Sequence, residues 1–230
     1  MGNAEFSDEL RGFFGRRVGR PIRPARKKLL SELLPQLALK VTNDIDPAAL
    51  FPNADEVWME IGFGDGEHLA GLMKRYPQHG FIGIEPYTNG MGVFLNTIKD
   101  YADKNVALHM DDAIPVVHAM RTASIDRLYV LNPDPWPKIR HHKRRIINQE
   151  HLDYFTRILK PGGWLVMATD VDDLSEWMVT QCTNHPALQW TAEHASDWQT
   201  PPEWWELTTR YAQKGLEAGR RQSYLVFERV

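Results

Sequence analysis

EVWMEIGFGDGEH, residues 56–68, is the stretch on which the fold turns. Val57, Trp58, Met59 and Ile61 make a short apolar run that stops at Gly62, Gly64 and Gly66. The following HLAGLMKRY sets Leu69, Leu72, Met73 and Tyr76 at helical spacing. A buried strand, a tight glycine turn and a helix start follow from this pattern. Glycine takes positive φ without steric cost and lets a ligand approach the backbone closely. In open α/β sheets such turns lie at the carboxyl ends of the strands, where ligands bind.

Acidic residues around the turn narrow the ligand. A dinucleotide fingerprint needs a further glycine at position 67, which is Glu67. Glu60, at the end of the strand, would repel a pyrophosphate and favour a cationic ligand, such as the amino group of S-adenosylmethionine. The next apolar strand, FIGIE, closes on Glu85, placed to accept hydrogen bonds from a ribose diol.

Outward from there, strand and helix patterns alternate. Strands are expected at 56–61, 80–85, 106–110, 125–131 and 163–169, with a last one at 223–230 and an edge partner near Trp190 to Glu193. Helices are expected at 66–76, 88–103, 113–121, 144–159 and 171–183. Alternation of this kind predicts an α/β fold, a mostly parallel sheet with helices on both faces. Upstream, Leu29, Leu30, Leu33, Leu34 and Leu37 predict one amphipathic helix over 25–39, and Pro47 and Pro52 suggest a linker over 43–55. Residues 1–24 lack a hydrophobic period and read as a flexible basic arm, so residues 25–230 make a single domain.

The 230-residue chain has a net charge of −3, yet its cations are concentrated. Residues 1–30 carry eight Lys or Arg against three acids, and residues 134–145 carry five against one. Two basic segments on an otherwise acidic chain fit a selective polyanion binder. No apolar run reaches membrane-spanning length, and no signal-peptide core is visible, so a membrane partner is not expected. The lone Cys182 allows no internal disulfide and fits a reducing, cytoplasmic setting as a core filler.

The second basic segment belongs to NPDPWPKIRHHKRR, residues 132–145. Three prolines stiffen a loop that holds Asp134 and Trp136 beside the strand-end crevice. Lys138, Arg140, Lys143, Arg144 and Arg145 follow as candidate phosphate contacts, with Arg16, Arg17, Arg20 and Arg23 of the arm. His141 and His142 have no companion Cys or carboxylate cluster, so no metal is expected. Asp112 suits both a helix N-cap and an acceptor at an adenine edge. Asp170 ends the fifth strand, where it either caps the next helix or enters the crevice. Trp198, Trp204 and Trp205 read as packing rather than a base-stacking platform.

Together EIGFGDGEHL (60–69), FIGIEPY (81–87), DDA (111–113), PDPWPKIRHHKRR (133–145), ATD (168–170) and TRYAQKG (209–215) resemble the bacterial tRNA (guanine-N7-)-methyltransferases. The resemblance implies a Rossmann-like class I methyltransferase with a seven-stranded, mostly parallel sheet and an antiparallel C-terminal strand. It implies S-adenosylmethionine as cofactor, tRNA as partner, and methylation of N7 of a variable-loop guanosine (position 46). By the same resemblance Glu60, Gly62, Glu85, Asp112 and Asp134 contact the cofactor, and Asp134 is also the catalytic carboxylate. Lys138, Asp170 and Thr209 bind the target nucleotide. The family's last motif reads Thr-x-x-Glu, whereas this chain has Ala212 at the acidic position. Monomer and homodimer both stay open.

Other functions fit less of the chain. A methyltransferase for a different substrate leaves the basic segments idle. A catalytically inactive tRNA-binding protein gains from Ala212 but leaves Glu60, Glu85 and Asp134 unexplained. A nicotinamide oxidoreductase is disfavoured by Glu60 and Glu67.

Overall fold

The computed structural model describes residues 15–102, 104–205 and 209–230. The elements run α1 (Pro24–Glu32), α2 (Leu34–Leu37), α3 (Pro47–Leu50), β1 (Val57–Ile61), α4 (Glu67–Arg75), β2 (Gly80–Ile84), α5 (Thr88–Ile98), β3 (Val106–His109) and α6 (Ala113–Ala119). They continue with β4 (Ile125–Leu131), a 3-10 helix (Ile139–Arg144), α7 (Gln149–Ile158), β5 (Leu159–Thr169), α8 (Asp172–Thr183), β6 (Leu188–Trp190), α9 (Ser196–Gln199), α10 (Arg210–Glu217) and β7 (Ser223–Arg229). The seven strands order as β3-β2-β1-β4-β5-β7-β6. β1 to β5 pair in parallel, and β7 runs antiparallel to both β5 and β6. The chain leaves β1 toward β2 on one side, and β4 returns on the other. The β1/β4 boundary is therefore the switch point at which a crevice opens.

Alternation along the strands builds two apolar layers. Val57, Met59 and Ile61 face one layer with residues of α6, α7 and α8, including the buried Cys182. Trp58 faces the other, with residues of α4 and α5. Cys182 is a core filler as expected, and burial pushes its thiol well above the usual range.

Several boundaries move for identifiable reasons. The helix expected over 25–39 is split into α1 and α2, because Pro35 has no N–H for the carbonyl four residues back and fits only in the first turn of a new helix. Its five leucines nevertheless pack on the second layer. The expected linker over 43–55 is docked: it contains α3, and Ile45 is buried and bridges Met120. The helix expected from 144 starts only at Gln149, where the Asn148 side chain accepts from the His151 N–H at 3.0 Å. β5 starts early, at Leu159, with a register shift against β4 before Trp164. The partner of β7 is β6, slightly upstream of the expected 190–193. Trp198 packs on the first layer, and Trp204 and Trp205 on the second, as core covering.

Of the expected arm, residues 1–14 lie outside the described residues. Residues 15–23 are not loose. The Gly19 N–H donates to Asn89 Oδ1 at 3.0 Å, Asn89 Nδ2 donates to the Arg20 carbonyl at 2.8 Å, and the Thr88 N–H donates to the Arg17 carbonyl at 3.0 Å. Half-buried polar groups at the start of α5 thus hold this segment across the mouth of the crevice. Among the described residues no helix is long and apolar enough to cross a membrane.

Candidate functional site

The glycine turn after β1 sets the site. Gly62, Gly64 and Gly66 have φ of 75°, 57° and 74°, a region that side chains with a Cβ rarely adopt. The Gly62 N–H donates to the Ile84 carbonyl at 2.7 Å, and the Gly64 N–H donates to Glu85 Oε2 at 2.6 Å. Glu85 Oε1 accepts from the Tyr87 N–H at 2.8 Å. Burial pushes the Glu85 carboxyl above its ordinary value, against the pull of these two N–H donors, and the charges of Asp134 and Glu60 add to the rise.

A cavity of about 410 Å³ opens at this edge of the sheet. Gly62, Glu85, Asp112 and Asp134 line it together with Trp136, His151, Arg16, Lys143 and Arg144. A Cβ added at Gly62 would meet nothing within 4 Å, so the turn leaves room for a ligand against bare backbone. Asp112 is also the N-cap of α6, accepting from the Ile114 N–H at 3.0 Å, so both roles read for it coexist in one position. Beside it, burial alone would raise the Asp111 carboxyl, but the Asp112 N–H and Arg17 outweigh it and hold the group below its usual value. Arg17 Nη1 lies 2.6 Å from Asp111 Oδ1. The carboxylate acceptors Glu85, Asp112 and Asp134 and the open backbone suit a nucleoside carrying a cationic tail.

Glu60 is placed differently from the expectation. Alternation turns it to the face opposite the cavity lining, where its carboxylate is 3% exposed and lies 2.8 Å from His68 Nδ1. The ring of His68 in turn stacks on Trp205 at 5.8 Å. The residues read as substrate contacts are also spread out. Lys138 is exposed at the head of the 3-10 helix, outside the cavity lining. Buried Asp170 lies 2.9 Å from Arg220 Nε, and Thr209 caps α10 by accepting from the Ala212 N–H at 3.1 Å. That bond is one half of a capping box; the other half needs a carboxylate at Ala212. Glu217, more than a turn further along α10, accepts from Gln213 Nε2 at 3.1 Å.

One basic residue must be reassigned. Arg145 was expected to face phosphate, yet it is only 1% exposed. Its Nε donates to the Pro135 carbonyl at 2.9 Å, its Nη2 pairs with Asp173, and its guanidinium lies over the Trp177 ring. It anchors the proline loop from beneath. Arg16, Arg17, Arg20, Arg23, Arg140 and Lys143 are exposed, and Arg144 is half-buried against Trp136. Among the described residues no group of His, Cys, Asp or Glu could hold a metal ion. His141 is held below its ordinary value by burial and by the surrounding cations Arg144, Arg140, Lys138 and Lys143, so Lys and Arg carry the charge of this segment.

Sequence reasoning did not find His151, whose Nδ1 lies 2.8 Å from the Ile146 carbonyl in the cavity wall. A histidine in the first turn of an ordinary amphipathic helix carries no signal of its own. Asn132 also lines the cavity with φ of 47°, held by Gln222 Nε2, which donates to its Oδ1 at 2.9 Å. That contact joins two segments far apart in sequence.

Comparison with known proteins agrees with this geometry. Residues 54–225 match a family model described as "Putative methyltransferase". The tRNA (guanine-N(7)-)-methyltransferase of Rhizobium meliloti (strain 1021) is 44% identical over 221 residues, covering 95% of each chain. That of Brucella anthropi is 43% identical over 231 residues, covering 98% of this chain and 99% of its own. Among solved structures, the 16S rRNA methyltransferase KamB superposes with a TM-score of 0.58 over 84% of this chain and 96% of its own, at 16% identity. An antibiotic-related methyltransferase gives 0.55 over 84% of this chain and all of its own, at 20% identity. The two structural likenesses carry the Rossmann-like fold. On the family model and these near full-length relatives, the chain belongs to the tRNA (guanine-N(7)-)-methyltransferase family.

Proposed function

We propose that this chain transfers the methyl group of S-adenosylmethionine to N7 of a guanosine in the variable loop of tRNA, forming 7-methylguanosine. One observation carries the reading: a single cavity holds Glu85, Asp112 and Asp134 and is rimmed by Arg16, Lys143 and Arg144. S-adenosylmethionine supplies an activated methyl group on a sulfonium leaving group. Glu85 gives one oxygen to each of two backbone N–H groups and keeps lone pairs for a ribose diol. Asp112 accepts from the exocyclic amine at the adenine edge, while Gly62 leaves the space the cofactor occupies. Glu60, held against His68 away from the cavity lining, acts on the cationic end through its charge and not by contact.

Guanine N7 has an available lone pair, so no general base is required. The work of the residues is alignment and electrostatics. Asp134 is exposed within the cavity and stiffened by its prolines, a fixed carboxylate beside the base that gains positive charge. Lys138, Asp170 and Thr209 approach the target nucleotide from the proline loop, the end of β5 and the N-cap of α10. Arg16, Arg17, Arg20, Arg23, Arg140, Lys143 and Arg144 hold phosphates, reading shape more than sequence. The target base must leave its tertiary contacts to enter the cavity.

The test uses purified protein, labelled S-adenosylmethionine and unmodified bulk tRNA, with nucleoside analysis of the product. A single 7-methylguanosine in the variable region is the expected outcome. A different methylated base would overturn the assignment of the target. Tight, salt-sensitive tRNA binding without transfer would instead make the chain a non-catalytic binder.

A further inference from the structure

Resting on that reading, we infer that the indole of Trp136 is the seat of the target purine, and that its π face stabilises the positive charge the purine acquires. Trp136 lines the cavity with Asp134, Lys143 and Arg144 and belongs to neither apolar layer. Its backbone is held at φ of 43°, in the left-handed region that non-glycine residues seldom occupy. Strain of that kind persists only where the surroundings over-determine it. Here Pro135 and Pro137 flank the residue, and Arg145 Nε grips the Pro135 carbonyl at 2.9 Å. The loop therefore presents this ring to the cavity.

The ring face already carries a planar cation. Arg144 Cζ lies 5.0 Å from the centroid of Trp136, while the His141 ring meets it at 84° and 5.9 Å. A 7-methylated guanine is likewise a planar, delocalised cation. In the reaction the N7 lone pair forms the bond to the methyl carbon as the carbon–sulfur bond breaks, its electron pair passing to sulfur. The sulfonium becomes a neutral thioether, the purine gains one positive charge, and no proton moves. Neutral guanine receives only stacking from the indole, whereas the purine at the transition state also receives the ion–quadrupole attraction. The ring thus binds the transition state more strongly than the substrate, which is the condition for accelerating the step. When RNA docks, Arg144 exchanges the ring for a phosphate and leaves the face to the base.

The test replaces Trp136 alone with mono-, di-, tri- and tetrafluorotryptophan by codon suppression, which drains the π face at nearly constant shape. Single-turnover transfer to an unmodified tRNA transcript is measured beside equilibrium binding of S-adenosylmethionine. The expected result is a stepwise fall in rate, about tenfold across the series, with cofactor affinity unchanged. A flat rate overturns the inference, and so does a fall confined to cofactor affinity, which would place the ring against the sulfonium. Wild-type protein that makes no 7-methylguanosine overturns the function itself and the inference with it. Wild-type activity with a flat series overturns the inference alone.

Discussion

The Gly64 N–H donates to Glu85 Oε2 at 2.6 Å, so the carboxylate that closes the second strand also pins the turn that closes the first. Glu85→Ala would strand the Gly64 and Tyr87 donors together and remove the ribose acceptor. We expect a stability loss of about 1–3 kcal/mol, the cost of buried donors left unpaired. Cofactor affinity should fall as well, which calorimetric titration with S-adenosylhomocysteine would measure.

The same residue sets a pH dependence. Burial raises the folded carboxyl above its unfolded value, so the protonated form favours the fold. The stability from this group is full below the ordinary glutamate value and is lost as pH rises through the raised one. Cofactor binding has the opposite sign, because the ribose diol needs the ionised acceptor. Affinity for S-adenosylhomocysteine should therefore fall as pH is lowered from neutral toward the ordinary glutamate value, and the fall should begin above that value because burial raises the carboxyl. A flat affinity across that range would remove Glu85 from the ribose site.

Two glycines of one turn separate fold from function. At Gly66 a Cβ would sit 2.2 Å from Phe94 Cδ2, at φ of +74°. Gly66→Ala should cost about 2–4 kcal/mol, adding overpacking to left-handed strain. At Gly62 the φ is similar but nothing lies within 4 Å. Gly62→Ala should cost only about 1–2 kcal/mol in denaturant unfolding, yet weaken cofactor binding more than its neighbour does per unit of lost stability.

Asp134→Ala should lower single-turnover methyl transfer by roughly 10²-fold, the scale of a lost preorganised electrostatic group. Its side chain is exposed in the cavity, so the melting temperature should barely move. Near wild-type transfer by this variant would assign the charge stabilisation elsewhere.

Arg140 and Arg145 should part company although both belong to one basic run. Arg140→Ala should weaken tRNA binding and reduce the magnitude of the log–log salt slope by about one, leaving the fold intact. Arg145→Ala should lower thermal stability by about 1–3 kcal/mol, because the Pro135 carbonyl loses its buried donor and Asp173 its partner. Salt titrations of tRNA affinity beside thermal melts distinguish the two.

Ala212→Glu should restore the second half of a capping box on Thr209 and stabilise α10 by about 0.3–1.5 kcal/mol. Hydrogen exchange along this helix would register the gain.

What the sequence determined by itself was the local grammar: the strand, glycine turn and helix of 56–75, the strand–helix alternation, and the stiff proline loop with its cations. Each is written within a few residues, as apolar periodicity, φ-permissive glycine or fixed-φ proline. Even Glu85 and Asp112 were legible, since an acid ending an apolar strand faces the sheet's edge. Only the tertiary structure decided which side chains share the cavity. Alternation about β1 turned Glu60 away toward His68, and packing drew Arg145 out of its basic run to hold Pro135 and Asp173. Gly15 and Arg16 became part of the site because the side chain of Asn89, some seventy residues on, hydrogen-bonds the segment that carries them. His151 entered through the wall of α7. These contacts depend on distances between residues remote in sequence, which no local period encodes.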